Sequence, residues 1–179
     1  GVGAGALTIN ACNILPVKSN ATAASSDFRS TTAPFSVQPS ISVDLTAGRT
    51  TTQILPGQQT QVWKYQTTTQ SGTEQSVQQL QDSYLGPIFR VKKGQRVQIQ
   101  LKNGLPDSTI IHWHGLRIPE DMDGHPRFAV ASGENFAYDF QVTNRAGMYW
   151  FHPHPDMLTG LQVYYGLAGL FIVSDDEEA

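Results

Sequence analysis

Arg96-Val97-Gln98-Ile99-Gln100-Leu101-Lys102 alternates polar and apolar residues without interruption. A period of two places Val97, Ile99 and Leu101 on one face of a β-strand and the polar residues on the other. The preceding Pro87-Ile88-Phe89-Arg90-Val91 is a second strand candidate, and Lys92-Lys93-Gly94 between the two carries turn residues. Together they predict a β-hairpin. Asn103-Gly104-Leu105-Pro106 then breaks the second strand. Working outward, Ile41-Ser42-Val43-Asp44-Leu45 alternates in the same way, as do Phe136, Tyr138, Phe140 and Val142, and Val62-Trp63-Lys64-Tyr65 is a further candidate. Leu167 to Val173 is a near-continuous apolar run that stops at Ser174-Asp175-Asp176-Glu177-Glu178. Many short strands separated by turn signals predict an all-β sandwich or barrel. Two segments stand apart. Gln66 to Ser83, dense in Gln, Thr and Ser, reads as an exposed loop. Asp156 to Tyr165 reads as a short helix with Leu158, Leu161, Val163 and Tyr165 partly buried.

Bulk properties narrow the function classes. A chain of 179 residues suffices for one domain and a tail. The net charge of −3 and the lack of a basic stripe argue against a nucleic-acid partner. The lone cysteine, Cys12, excludes an internal disulfide and any Cys-rich zinc or iron–sulfur site. Gly1 to Ile9 is small and apolar, like the core of a secretory signal, yet too short to span a membrane. Its charged start and initiator Met are missing, so the chain is expected to begin partway through a longer product. Ala21-Thr22-Ala23 would supply a cleavage site, whereas Ile9-Asn10-Ala11-Cys12 matches a lipoprotein box poorly; removal with the leader is preferred to lipidation of Cys12. Either route predicts export to the periplasm or beyond the cell. Pro16 to Gln38 is rich in Ser, Thr, Ala and Pro, which suits a mobile linker and leaves the Asn20-Ala21-Thr22 sequon without expected meaning. The expected division is a disordered leader at residues 1–38 and one domain at 39–179.

Chemistry concentrates in two short strings. His112-Trp113-His114-Gly115 and Phe151-His152-Pro153-His154 hold four of the five histidines. Alternate residues of a strand share a face, so each pair aims two imidazoles the same way, and Trp113 must point oppositely, into a core. Pro153 has no N–H for a sheet ladder, which places its pair at a strand end or edge. Isolated, hydrogen-bonded histidines explain one such residue better than two His-x-His pairs in one small domain. Four imidazoles suit copper, zinc, iron or nickel, with copper bound tightest among these divalent ions. Spacing alone does not separate copper from zinc.

Around these residues the chain resembles the first domain of a multicopper oxidase, in the bacterial three-domain branch that includes laccase-like enzymes and copper-efflux oxidases. The resemblance rests on Ile111-His112-Trp113-His114-Gly115-Leu116, Met122-Asp123-Gly124, Tyr149-Trp150-Phe151-His152-Pro153-His154 and Gly166-Leu167-Ala168-Gly169-Leu170. It implies a cupredoxin-type Greek-key β-barrel or sandwich and a trinuclear copper cluster that reduces dioxygen to water. It would give His112 to the type 2 copper and His114, His152 and His154 to the type 3 pair. Asp123 matches an acidic residue that assists proton delivery in some members; a turn-forming Asp before Gly124 is an equal alternative. Glu120 and Asp121 read as solvated charges, His125 as a surface histidine, and Trp63 and Trp150 as core. Met122, Met148 and Met157 are scattered and form no methionine-rich segment. Asp156 stands where relatives often carry a histidine that is not normally a ligand.

The family uses eight histidines for the cluster, and four are here. The others, with the Cys and His ligands of a type 1 copper, come from a later domain, and Cys12 lacks the neighbours to replace that site. The implied parent is an exported oxidase that takes electrons singly from phenols, aromatic amines or metal ions. This chain would be its N-terminal part, inactive alone, with an apolar patch beside the histidines where the remaining cupredoxin domains pack. The alternatives are a non-catalytic relative of the same fold and a stand-alone copper-binding cupredoxin.

Overall fold

The structure, a computed structural model, describes residues 40–72 and 75–177. The expectations placed on residues 1–38, including the fate of Cys12, lie outside these residues. Among the described residues nine strands follow in chain order: β1 (Ile41–Thr52), β2 (Thr60–Ser71), β3 (Val77–Gln78), β4 (Ile88–Lys92), β5 (Arg96–Asn103), β6 (Ile111–His114), β7 (Asn135–Gln141), β8 (Gly147–Pro153) and β9 (Gly169–Ser174), with one α-helix, α1 (Thr159–Tyr164), between the last two. They form two sheets, ordered β2-β1-β5-β7 and β3-β4-β9-β8-β6. Each sheet is mixed, with β1 parallel to β5 and β4 parallel to β9. The architecture is the expected all-β, cupredoxin-like one.

The alternating strands behave as their sequences require. Val97, Ile99 and Leu101 of β5 and Tyr138 and Phe140 of β7 are fully buried, with the polar residues between them turned outward. Phe89, Phe151 and Phe171 supply the facing layer. Trp113 sits among them, with ring centroids 5.3 Å from Tyr138 and Phe151 and 5.4 Å from Phe140. Burying an indole of this size is worth about 3 kcal/mol, so Trp113 fixes which face of β6 turns inward.

Four expectations need correction. The predicted hairpin does not form: β4 and β5 exist as strands but lie in different sheets. Both carry one apolar face, and the chain crosses at Gly94, whose N–H bonds to the Val142 carbonyl at 2.8 Å, so that the two faces meet across the core. The expected loop from Gln66 instead continues β2, because β1 supplies a full antiparallel partner from Thr52 to Ser42 and threonine fits a pleated surface well. Within α1 the buried residue is Gln162, held by Thr109 Oγ1 and the Ser108 carbonyl at 2.8 Å each, while Leu161 and Tyr165 are exposed. Trp63 is core as expected, but Trp150 is 37% exposed.

Candidate metal centre

β6 is the outermost strand of its sheet and pairs antiparallel with β8. The register sets His112 opposite His152 and His114 opposite Trp150, and the His154 N–H extends the ladder to the Ile110 carbonyl at 2.8 Å. With Trp113 and Phe151 committed to the core, the period of two turns all four histidines to the outer face. His112 is the hub. Its ring centroid lies 5.6 Å from His114, 5.4 Å from His152 and 5.4 Å from His154. His114, His152 and His112 each bring one nitrogen to within 4.8 Å of the other two. His154 completes the group at 6.0 Å from His152 by centroid.

β6 needs support because, among the described residues, no strand lies on its far side. Tyr138 of the opposite sheet supplies it: its hydroxyl accepts from the Ile111 N–H at 2.7 Å and donates to the Ile111 carbonyl at 3.1 Å. Burial raises the Tyr138 phenol well above its ordinary value, against the lowering effect of the Ile111 N–H. The group therefore stays neutral and serves as donor and acceptor together. The loop carrying a 3₁₀ turn at Glu120–Met122 closes over the same edge. Gly124 makes this possible: its φ is +76°, and a Cβ there would collide with the Ile111 carbonyl and lie 2.7 Å from the His112 backbone nitrogen.

Backbone carbonyls set the imidazole tautomers. His112 Nδ1 donates to the Asp123 carbonyl at 2.8 Å and His152 Nδ1 to the Pro153 carbonyl at 3.0 Å, leaving both Nε2 atoms unprotonated. His114 Nδ1 lies 3.3 Å from His152 Nε2. His154 Nδ1 is buried and has no hydrogen-bond partner among the described residues. Burial holds the His152 pKa below its ordinary value; the Pro153 carbonyl opposes this and the other three imidazoles reinforce it. His152 is accordingly neutral at physiological pH, as a ligand must be.

Asp123 occupies the turn before Gly124 and also stands beside the histidines. It ends the 3₁₀ turn, and its Oδ1 lies 3.1 Å from His112 Nδ1. That contact is an ion pair only if His112 is protonated, because the nitrogen's hydrogen is already directed at the carbonyl. A hollow of about 320 Å³ is lined by His112, His154, Asp123, Glu120 and His125. His125 is exposed there, its Nδ1 accepting from the Arg127 N–H at 3.2 Å, and Glu120 pairs with Arg127. A larger hollow of about 570 Å³, between Arg49, Trp63 and Tyr165, is lined by none of the histidines.

Sequence reading missed Trp150. It shares a strand and a face with His152, and its ring packs against His152 and stacks on His114 at centroid distances of 4.4 and 5.0 Å. The signal was available, since Trp150 precedes His152 by two. Beyond it runs an apolar cross-strand row, Trp150–Leu170–Ile88, with Met148 and Ile172 in the next row. Trp150 and Met148 are exposed, so an apolar surface does border the histidines.

A two-sheet β-sandwich with four imidazoles on adjacent strands defines a cupredoxin-like domain with a candidate metal centre. Residues 61–178 match the family described as multicopper oxidase, and the chain belongs to that family. It is 43% identical over 94 residues to multicopper oxidase mco of Staphylococcus aureus, covering 52% of this chain and 21% of that protein. It is 33% identical over 110 residues to copper resistance protein A of Escherichia coli, covering 60% and 17%. The McoA multicopper oxidase of the hyperthermophile Aquifex aeolicus superposes with a TM-score of 0.65 at 36% identity, covering 79% of this chain and 28% of that one. The chain thus spans about a fifth of these curated relatives and about a quarter of the solved structure.

The residues present fit the copper that the family implies. All the donors are imidazoles, and His152 is held neutral. The partnerless His154 nitrogen is a buried polar atom that a ligand would satisfy. Two nitrogens each about 2.0 Å from one tetrahedral ion stand about 3.3 Å apart, matching the separation of His114 Nδ1 and His152 Nε2.

Proposed function

We propose that residues 39–179 are the N-terminal cupredoxin domain of an exported multicopper oxidase, following a leader at residues 1–38, and contribute half the histidines of a trinuclear copper cluster. The observation that carries this reading is the convergence of four imidazoles on one face of β6 and β8. His112 would serve the type 2 copper and His114, His152 and His154 the type 3 pair, with His114 and His152 sharing one ion. Bound copper supplies one-electron redox chemistry that links oxidation of a phenolic, aromatic amine or metal-ion reductant to reduction of dioxygen to water.

The chain's own groups orient, shield and move protons. The Asp123 and Pro153 carbonyls hold His112 and His152 in ligating tautomers. The Asp123 carboxylate, beside His112 and on the wall of the 320 Å³ hollow, is placed to pass protons between solvent and the site. The apolar rows through Trp150, Leu170 and Met148 are the surface on which further cupredoxin domains would seat.

Copper content by elemental analysis tests the ligand set: His114→Ala should lose copper and His125→Ala should keep it. Equal loss in both variants would sink the assignment. The coding sequence after Ala179 tests the parent. A later His-x-x-His-x-His with His-Cys-His supports an oxidase, and a stop codon contradicts it.

A further inference from the structure

We propose that Trp150 is a positioning residue for this metal centre, its indole restraining the rings of His114 and His152 and strengthening their hold on a bound cation. The inference rests on the four-histidine reading above and adds a residue to it. The two imidazoles lie at 29° and 35° to the indole plane, so the His114 contact is stacked, the His152 contact is tilted, and neither is edge-on. They come from different strands: His114 is the cross-strand neighbour of Trp150, and His152 follows it by two on β8. One rigid ring therefore spans both nitrogens that approach to 3.3 Å.

The indole also borders an apolar hollow of about 180 Å³, lined by Trp150 with Leu80, Leu85, Ile88 and Leu170. A Trp at 37% exposure is not placed for core burial, and its close ring contacts are with the two imidazoles. The charge argument gives the direction of the effect. An imidazole that donates its lone pair to a metal cation becomes electron-poor, and an electron-poor ring is drawn to the negative face of an indole. Stacking is therefore stronger in the metal-loaded state, and by thermodynamic reciprocity Trp150 raises metal affinity.

The test is Cu(II) titration of the whole chain against a chelator of known affinity, followed by the copper electron paramagnetic resonance spectrum and the melting temperature of the metal-free form. Trp150→Leu should weaken copper binding roughly tenfold and alter the spectrum, with little change in metal-free melting. Trp150→Phe should recover most of the affinity, and Met148→Ser, on the same exposed apolar surface but outside the hollow beside the indole, should leave it unchanged. Wild-type affinity in Trp150→Leu, or equal weakening in Met148→Ser, overturns the proposal while leaving the metal site standing. No copper binding by the unaltered chain overturns both. If Trp150→Leu does not fold, progressive ring fluorination of Trp150 decides the matter: affinity falling with each fluorine supports the stacking role, and a flat series refutes it.

Discussion

Replacing Tyr138 with Phe isolates the device that holds the outermost strand in place. The ring remains, so packing against Trp113 and Phe136 is retained. The hydroxyl's two bonds to Ile111 are lost. Losing the donated bond to the Ile111 carbonyl costs about 1 kcal/mol, and leaving the buried Ile111 N–H without an acceptor costs about 1–3 kcal/mol more. We expect a loss of about 2–4 kcal/mol, a large part of the 5–15 kcal/mol that stabilises a typical domain. For a domain of this size that corresponds to a fall in melting temperature of about 10 °C. Urea unfolding of the metal-free chain, followed by tryptophan fluorescence, measures it. A loss under about 0.5 kcal/mol would show that β6 needs no support from the opposite sheet.

Two further outcomes follow from the same site. Gly124→Ala should cost about 3 kcal/mol or more and weaken copper binding, because it combines left-handed strain with a collision against Ile111. Gly133→Ala is the control: its φ is +83° but its Cβ meets nothing, so only about 1–2 kcal/mol should be lost, and equal losses would refute the steric argument. The second concerns pH. The His152 pKa is lowered in the folded chain, so on acidification the unfolded chain takes up its proton first, near pH 6.5. Its contribution is complete above that pH, and metal-free stability should fall as pH drops below it. Comparing urea midpoints at about pH 8 and about pH 5.5 in wild type and His152→Gln checks this. The variant should show a shallower fall, and parallel curves would contradict it.

Period-two patterning was legible wherever one face of a strand is buried, as in Val97, Ile99 and Leu101, and the same rule put the four histidines on one face. The partnership of strands was not. Lys92-Lys93-Gly94 has turn chemistry, and a turn returning beside its own strand looks locally like one that crosses to another sheet. Gln162 was invisible as a core residue because its burial depends on Thr109, 53 positions away. Trp150 was legible by parity but was read by residue type, which favours burial. The two tautomer-setting carbonyls belong to backbone whose course no side-chain pattern reports.

Trp113 stands between His112 and His114, and that adjacency has a consequence for assembly. A one-residue slip of β6 along β8 would expose the indole and drive both imidazoles into the apolar interior. A two-residue slip would restore the facing but abandon the Tyr138 clasp on Ile111. The interior thus proofreads the alignment of the donors before any metal arrives. The binding geometry is a by-product of folding correctly, and an ion need not organise the residues that receive it.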